Sequence, residues 1–160
     1  MSDSYIRLVP TSEDWQPTGE AAASVAAYVA ELFSGPDGDV DEVTCEFYER
    51  VTLIDAGENT SQISCPHCDG EVSREWFLDL VEENYVETGE DLTLRDVTVP
   101  CCGWVVPLDE LRYEWPVGFA RFEVCIMNPT RANKYELDAG ELDRVGALLG
   151  HPVTQVLAHY

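Results

Sequence analysis

Apolar positions recur along this chain with two periods, and the switches between them mark out its elements. Residues 5–9 (YIRLV) predict a short strand, closed by Pro10. Thr18 then offers a cap for a helix whose apolar stripe is Ala22, Val25, Ala26, Val29 and Leu32, at spacings of three and four. The segment GPDGD at 35–39 stops it. Over 43–54 the pattern alternates, with Val43, Cys45 and Phe47 on one face and Thr44, Glu46 and Tyr48 on the other. A charge near Glu49 breaks the alternation and predicts a bulge. Residues 55–61 read as a turn-rich loop.

Ser73 caps a second predicted helix carrying Trp76, Phe77, Leu80, Val81 and Tyr85, and 92–99 alternates again as a strand. Residues 119–127 form the strongest strand, with Ala120, Phe122, Val124 and Ile126 on one face. The last helix has the clearest start. Asp138 and Glu141 have capping-box spacing, Leu137 is placed to staple onto Leu142, and Leu142, Val145, Leu148 and Leu149 form the stripe. Gly150 ends the helix, Pro152 lies just beyond, and 153–158 is a final strand.

With the middle of the chain set aside, the order is strand, helix, strand, then strand, helix, strand. That order predicts an α+β fold, a ferredoxin-like split β-α-β sandwich. Residues 63–116 become a zinc-ribbon-like, metal-binding insertion between the second and third core strands of a single domain covering 1–160.

The chemistry sits in that insertion. Cys65-Pro66-His67-Cys68 is a C-x-x-C pair followed by Gly70, and Cys101-Cys102 is bracketed by Pro100 and Gly103. Tetrahedral zinc takes four thiolate or imidazole ligands, so Cys65, Cys68, Cys101 and Cys102 are the expected set and zinc the expected cofactor. Adjacent strand residues point opposite ways, so Cys101 and Cys102 both ligate only if the chain turns between Pro100 and Gly103. If one of them drops out, His67 is the substitute ligand and Asp69 a weaker one. Cys45 and Cys125 lie within apolar strands and are expected to pack in the core. Trp104, Tyr113, Trp115 and Phe119 are expected to roof the metal as a small core, with a binding rim of Trp104 and Trp115 as the alternative.

The segments YIRLVPTSEDW, SCPHC, VPCCGW, YEWPVGFARFEVCIMNP and LGHPVTQVLAHY together resemble a family of small bacterial proteins, mainly from actinobacteria. The resemblance spans most of the chain. It implies that the C-P-x-C and P-C-C-G pairs belong together, and it brings no activity with it. The first pair is also similar to the first knuckle of zinc ribbons. The second departs from the ribbon pattern, in which the cysteines are spaced by two.

Charge narrows the function. Asp and Glu number 31 against 9 Lys and Arg, for a formal charge of -22. Such a field repels nucleic acid and anionic membrane surfaces and favours a basic protein partner. The basic residues are scattered and form no run. Six cysteines without a signal-like N-terminus point to a reducing, cytoplasmic setting and to metal chemistry instead of disulfides. No apolar run reaches membrane-span length. No catalytic residues are nominated, because no P-loop, G-x-S-x-G or dinucleotide fingerprint is present. The expectation is a zinc-stabilised, non-enzymatic binding or regulatory protein. The alternatives are a thiol-disulfide redox protein using Cys65 and Cys68, or a zinc enzyme with an open coordination position. The redox reading needs Cys65 at a helix N-terminus, which Asp69-Gly70 opposes.

Overall fold

The structure, a computed structural model, describes residues 2–60, 62–83 and 96–160. In chain order the elements are β1 (Ser4–Pro10), α1 (Gly19–Leu32), β2 (Glu42–Ile54), β3 (Ile63–Ser64), β4 (Glu71–Val72), α2 (Arg74–Glu83), β5 (Asp96–Thr98), β6 (Val105–Pro107), a 3-10 turn (Leu108–Glu110), β7 (Arg112–Tyr113), β8 (Gly118–Met127), α3 (Ala139–Leu149) and β9 (Val153–His159). Tyr85 and residues 92–95, expected in the second helix and the strand after it, lie outside the described residues.

The chain is α+β. Four strands form one sheet in the order β2-β8-β1-β9. Every neighbouring pair in it is antiparallel. The alternation of β8 decides how the sheet is covered. Phe122, Val124 and Ile126 are fully buried and join Ile6 and Leu8 of β1 under α1 and α3, whose Val25, Val29 and Val145 close the layer. Burying a side chain of this kind is worth about 1.5–3 kcal/mol, so this layer supplies the main driving force for the frame.

The helix ends follow from local sequence. Thr18 Oγ1 accepts the Ala21 N–H at 3.1 Å and starts α1. Asp138 and Glu141 close a reciprocal capping box on α3. Gly150, at φ 94°, ends that helix in the left-handed region, where a side chain would be strained. The expected break in β2 is a register shift between Phe47 and Thr52. Ahead of it, Phe47 is half exposed but meets Phe122 across the pair, ring centroids 4.9 Å apart.

The connection from β2 to β8 builds a second apolar cluster. β3 pairs with β4 and β7, and β5 with β6. Phe77 of α2, Ile63, Val99 and Leu108 are buried there against Val51 of β2 and Phe119 of β8. Ser73 starts α2, its Oγ accepting the Trp76 N–H at 3.3 Å. No helix among the described residues is long and apolar enough to cross a membrane.

Candidate metal centre

Two short hairpins carry the cysteines. In the first, β3 and β4 are joined by Cys65-Pro66-His67-Cys68-Asp69-Gly70. The turn is closed by the Cys65 N–H on the Gly70 carbonyl at 2.9 Å and the Asp69 N–H on the Cys65 carbonyl at 3.0 Å. Asp69 adopts φ 59°, and its carboxylate is held by Arg112 of β7. In the second, Val99 and Trp104 close the β5–β6 turn, the Val99 N–H meeting the Trp104 carbonyl at 2.9 Å. The Gly103 N–H returns to the Val99 carbonyl at 2.9 Å, with Gly103 at φ 75°. This is the turn that adjacent cysteines require: it brings both Cys101 and Cys102 to the first hairpin.

The thiol sulfurs of Cys65, Cys68, Cys101 and Cys102 all lie within 4.8 Å of one another. Cys65 Sγ is 3.8 Å from Cys102 Sγ, and Cys68 Sγ is 3.4 Å from Cys101 Sγ. Four sulfurs bound at about 2.3 Å around a tetrahedral ion stand about 3.8 Å apart, so this spacing suits one ion. The four residues form a potential metal-binding site. They come from two hairpins, so an ion held here would tie the hairpins together.

Backbone amides are aimed at the sulfurs. The His67 N–H donates to Cys65 Sγ at 3.4 Å, and the Gly70 N–H to Cys68 Sγ at 3.3 Å. Such contacts stabilise thiolate and orient ligands. The Cys68 amide, ahead of the opposing effect of burial and aided by the His67 amide, lowers the Cys65 thiol to about 7. Desolvation, then the neighbouring thiols of Cys68 and Cys65, push Cys101 up to about 12. At Cys102 the Trp104 amide pulls down, but burial and the Cys65 and Cys68 thiols outweigh it and the thiol is raised. Cys65 is thus eased toward its thiolate while Cys101 and Cys102 are held toward their thiols. A divalent cation binds thiolate, so loading the site would release protons.

His67 does not enter the sulfur set. Its Nδ1 stands 3.8 Å from Cys102 Sγ, and its ring lies on the indole of Trp104. The expected aromatic roof is divided. Tyr113 and Phe119 pack in the second cluster with Phe77, whereas Trp104 and Trp115 are 50% and 39% exposed. Cys45 packs beneath α1, its thiol 3.5 Å from the Ala22 carbonyl, and Cys125 lies half-buried on β8, both outside the centre. Residues 71–72, just after the first hairpin turn, form β4, so Cys65 has no helix dipole beneath it.

Sequence reasoning passed over a polar cluster elsewhere. Arg7 of β1 holds both carboxylate oxygens of Glu123 of β8, at 2.8 and 2.7 Å, and also meets Asp55 and Tyr160. Tyr48 donates to Glu123 at 2.7 Å, and Glu123 is 1% exposed. Arg7 in β1 and Glu123 in β8 interrupt largely apolar strands, and that interruption is the signal that could have found them.

Comparison of the chain with protein-family models, curated proteins and solved structures finds no match.

Proposed function

We propose that this is a zinc-stabilised, non-enzymatic binding protein with a basic protein partner. The observation that carries the reading is the convergence of four cysteine sulfurs from two hairpins within 4.8 Å. Four protein sulfurs fill a tetrahedron and leave no position for water or substrate, as in structural zinc sites. An all-sulfur set also suits iron, but zinc brings no redox chemistry of its own and fits a role as staple. The paired hairpin turns with amides on sulfur support a zinc-ribbon-like reading of 63–116. The sheet order β2-β8-β1-β9, with α1 and α3 on one face, supports a ferredoxin-like frame.

A basic partner follows from a formal charge of -22. The exposed Trp104 and Val105 beside the centre add apolar contact area of the kind enriched at interfaces. The test is metal analysis of purified protein with X-ray absorption at the zinc edge. One zinc per chain in a shell of four sulfurs is expected. Iron, no metal, or a shell containing oxygen overturns the zinc reading. Affinity capture from the native host at low and moderate salt tests the partner, and recovery of no basic protein under either condition overturns that part.

A further inference from the structure

The sulfurs of the centre are unequally protected. Cys65 is fully buried, while Cys68, Cys101 and Cys102 are exposed. Two exposed sulfurs face each other across the hairpins: Cys68 Sγ and Cys101 Sγ are 3.4 Å apart, closer than the 3.8 Å between Cys65 and Cys102. Gly70 lies against this edge. A Cβ there would stand 3.0 Å from Cys68 Sγ and 3.2 Å from Cys101 Cβ, so the missing side chain is what lets the hairpins approach.

We propose that this edge is an oxidation site: a peroxide joins Cys68 to Cys101 across the two hairpins and expels the ion. The proposal rests on the zinc reading above. In the first step a thiolate of the exposed edge attacks the peroxide, the O–O bond breaks, and the sulfur becomes a sulfenic acid. The facing sulfur then displaces hydroxide, which leaves as water, and the S–S bond forms. The balance is one tetrathiolate zinc centre, one H2O2 and four protons giving Zn2+, one disulfide, two thiols and two waters. Cys65 and Cys102 take up two of the four protons and become thiols, the other two protons leave in the waters, and two ligands no longer hold zinc against competition. A disulfide within Cys65-Pro66-His67-Cys68 is disfavoured because Cys65 lies beneath the surface. A Cys101–Cys102 disulfide would have to close a strained ring between neighbours. The cross-hairpin bond takes over the role of the ion as staple, so oxidation releases metal without separating the hairpins.

The test treats the zinc-loaded full chain with hydrogen peroxide. Zinc release is followed with a chromophoric chelator and pairing by peptide mapping under non-reducing conditions. One disulfide per zinc released, between Cys68 and Cys101, is expected, with the far-ultraviolet circular dichroism spectrum retained and zinc regained after a thiol reductant and added zinc. A first disulfide between Cys65 and Cys68, one linking two chains, zinc loss through sulfinic acid alone, or zinc retained after thiol oxidation elsewhere each overturns the proposal and leaves the zinc reading intact. If the purified protein holds no zinc and takes none up, the zinc reading fails by itself. The pairing is then read on metal-free protein, where a Cys68–Cys101 disulfide upholds the oxidation site and any other pairing removes it.

Discussion

His67 lies flat on Trp104, with ring centroids 4.0 Å apart and planes inclined by 4°. The two residues belong to different hairpins, so this stack joins the same two turns as the four sulfurs. It also directs the imidazole along the indole and not into the sulfur set. His67→Ala should therefore leave zinc at one per chain. It should increase the rate at which a chelator removes the ion several-fold, because the centre loses its cover. Metal analysis and stopped-flow zinc transfer check the two outcomes separately. Loss of zinc from this variant would make His67 a ligand.

The cysteine substitutions separate centre from core. Serine at Cys65, Cys68, Cys101 or Cys102 should strip the metal and loosen the hairpins, because structural zinc contributes about 10–16 kcal/mol of binding that is also folding energy. Serine at Cys45 or Cys125 should keep the zinc and cost about 1–2 kcal/mol of stability, since each thiol packs in or beside the four-stranded sheet. Zinc content of each variant, with denaturant unfolding, decides between the two patterns.

The long elements were readable because each repeats one signal many times. α3 has a cap, a stripe and a glycine stop, and its limits match the expectation closely. The four long strands have enough residues to show alternation, and the bulge in β2 follows from Glu49 interrupting it. β3, β4 and β7 have two residues each, too short for any period to show. The cysteine motifs nevertheless pointed to the hairpin turns, because Gly70 and Gly103 mark where the chain must curl. The exposure of Trp104 and Trp115 was not legible, since aromatic content does not state which ring is covered. The buried position of Glu123 was hidden for a different reason. Its partner Arg7 lies 116 residues away, so their pairing depends on β1 and β8 being neighbours.

Gly70 and Gly103 should respond differently to alanine. At Gly70 the new methyl meets Cys68 Sγ and the Cys101 side chain, so Gly70→Ala should force the two hairpins apart and weaken zinc at least tenfold. At Gly103 there is open space, but φ is 75°, and a non-glycine residue there costs about 1–2 kcal/mol. Gly103→Ala should lower stability by that amount with a smaller effect on the metal. Competition with a calibrated chelator, beside thermal unfolding, gives both numbers. Equal zinc affinity in Gly70→Ala and the parent protein would contradict the close packing at that edge.

Arg7 and Glu123 form a paired charge in a site closed by Tyr48, with the Glu123 side chain 1% exposed. Removing one partner leaves a buried charge without compensation, which costs about 3–5 kcal/mol. Arg7→Met should therefore be severely destabilising. Arg7→Met combined with Glu123→Leu should recover much of the loss, because no unpaired charge remains. Urea unfolding of the two single variants and the double variant completes the cycle. Additive losses would mean that the two groups do not depend on each other.

Glu141, in the first turn of α3, offers a pH test. Its carboxylate accepts both Arg131 Nη1 and Nη2, each at 2.7 Å, and takes the Asp138 N–H at 2.9 Å. The Arg131 contact is the main reason its pKa lies below the ordinary 4.5. A carboxylate depressed in the folded state binds its proton more weakly there than in the unfolded chain. Stability from it is thus complete above the unfolded value and is lost as pH falls through the lower, folded one. The difference in unfolding free energy between the parent protein and Glu141→Gln should be constant from pH 8 to about pH 5.5 and should shrink steadily below about pH 4.5. Arg131→Gln should reduce the same pH-dependent difference, because it removes the cation that depresses Glu141. Urea unfolding across this range measures it. A difference that stays constant down to pH 3 would show that the contact stabilises α3 through packing and hydrogen bonding without a contribution from the charge of Glu141.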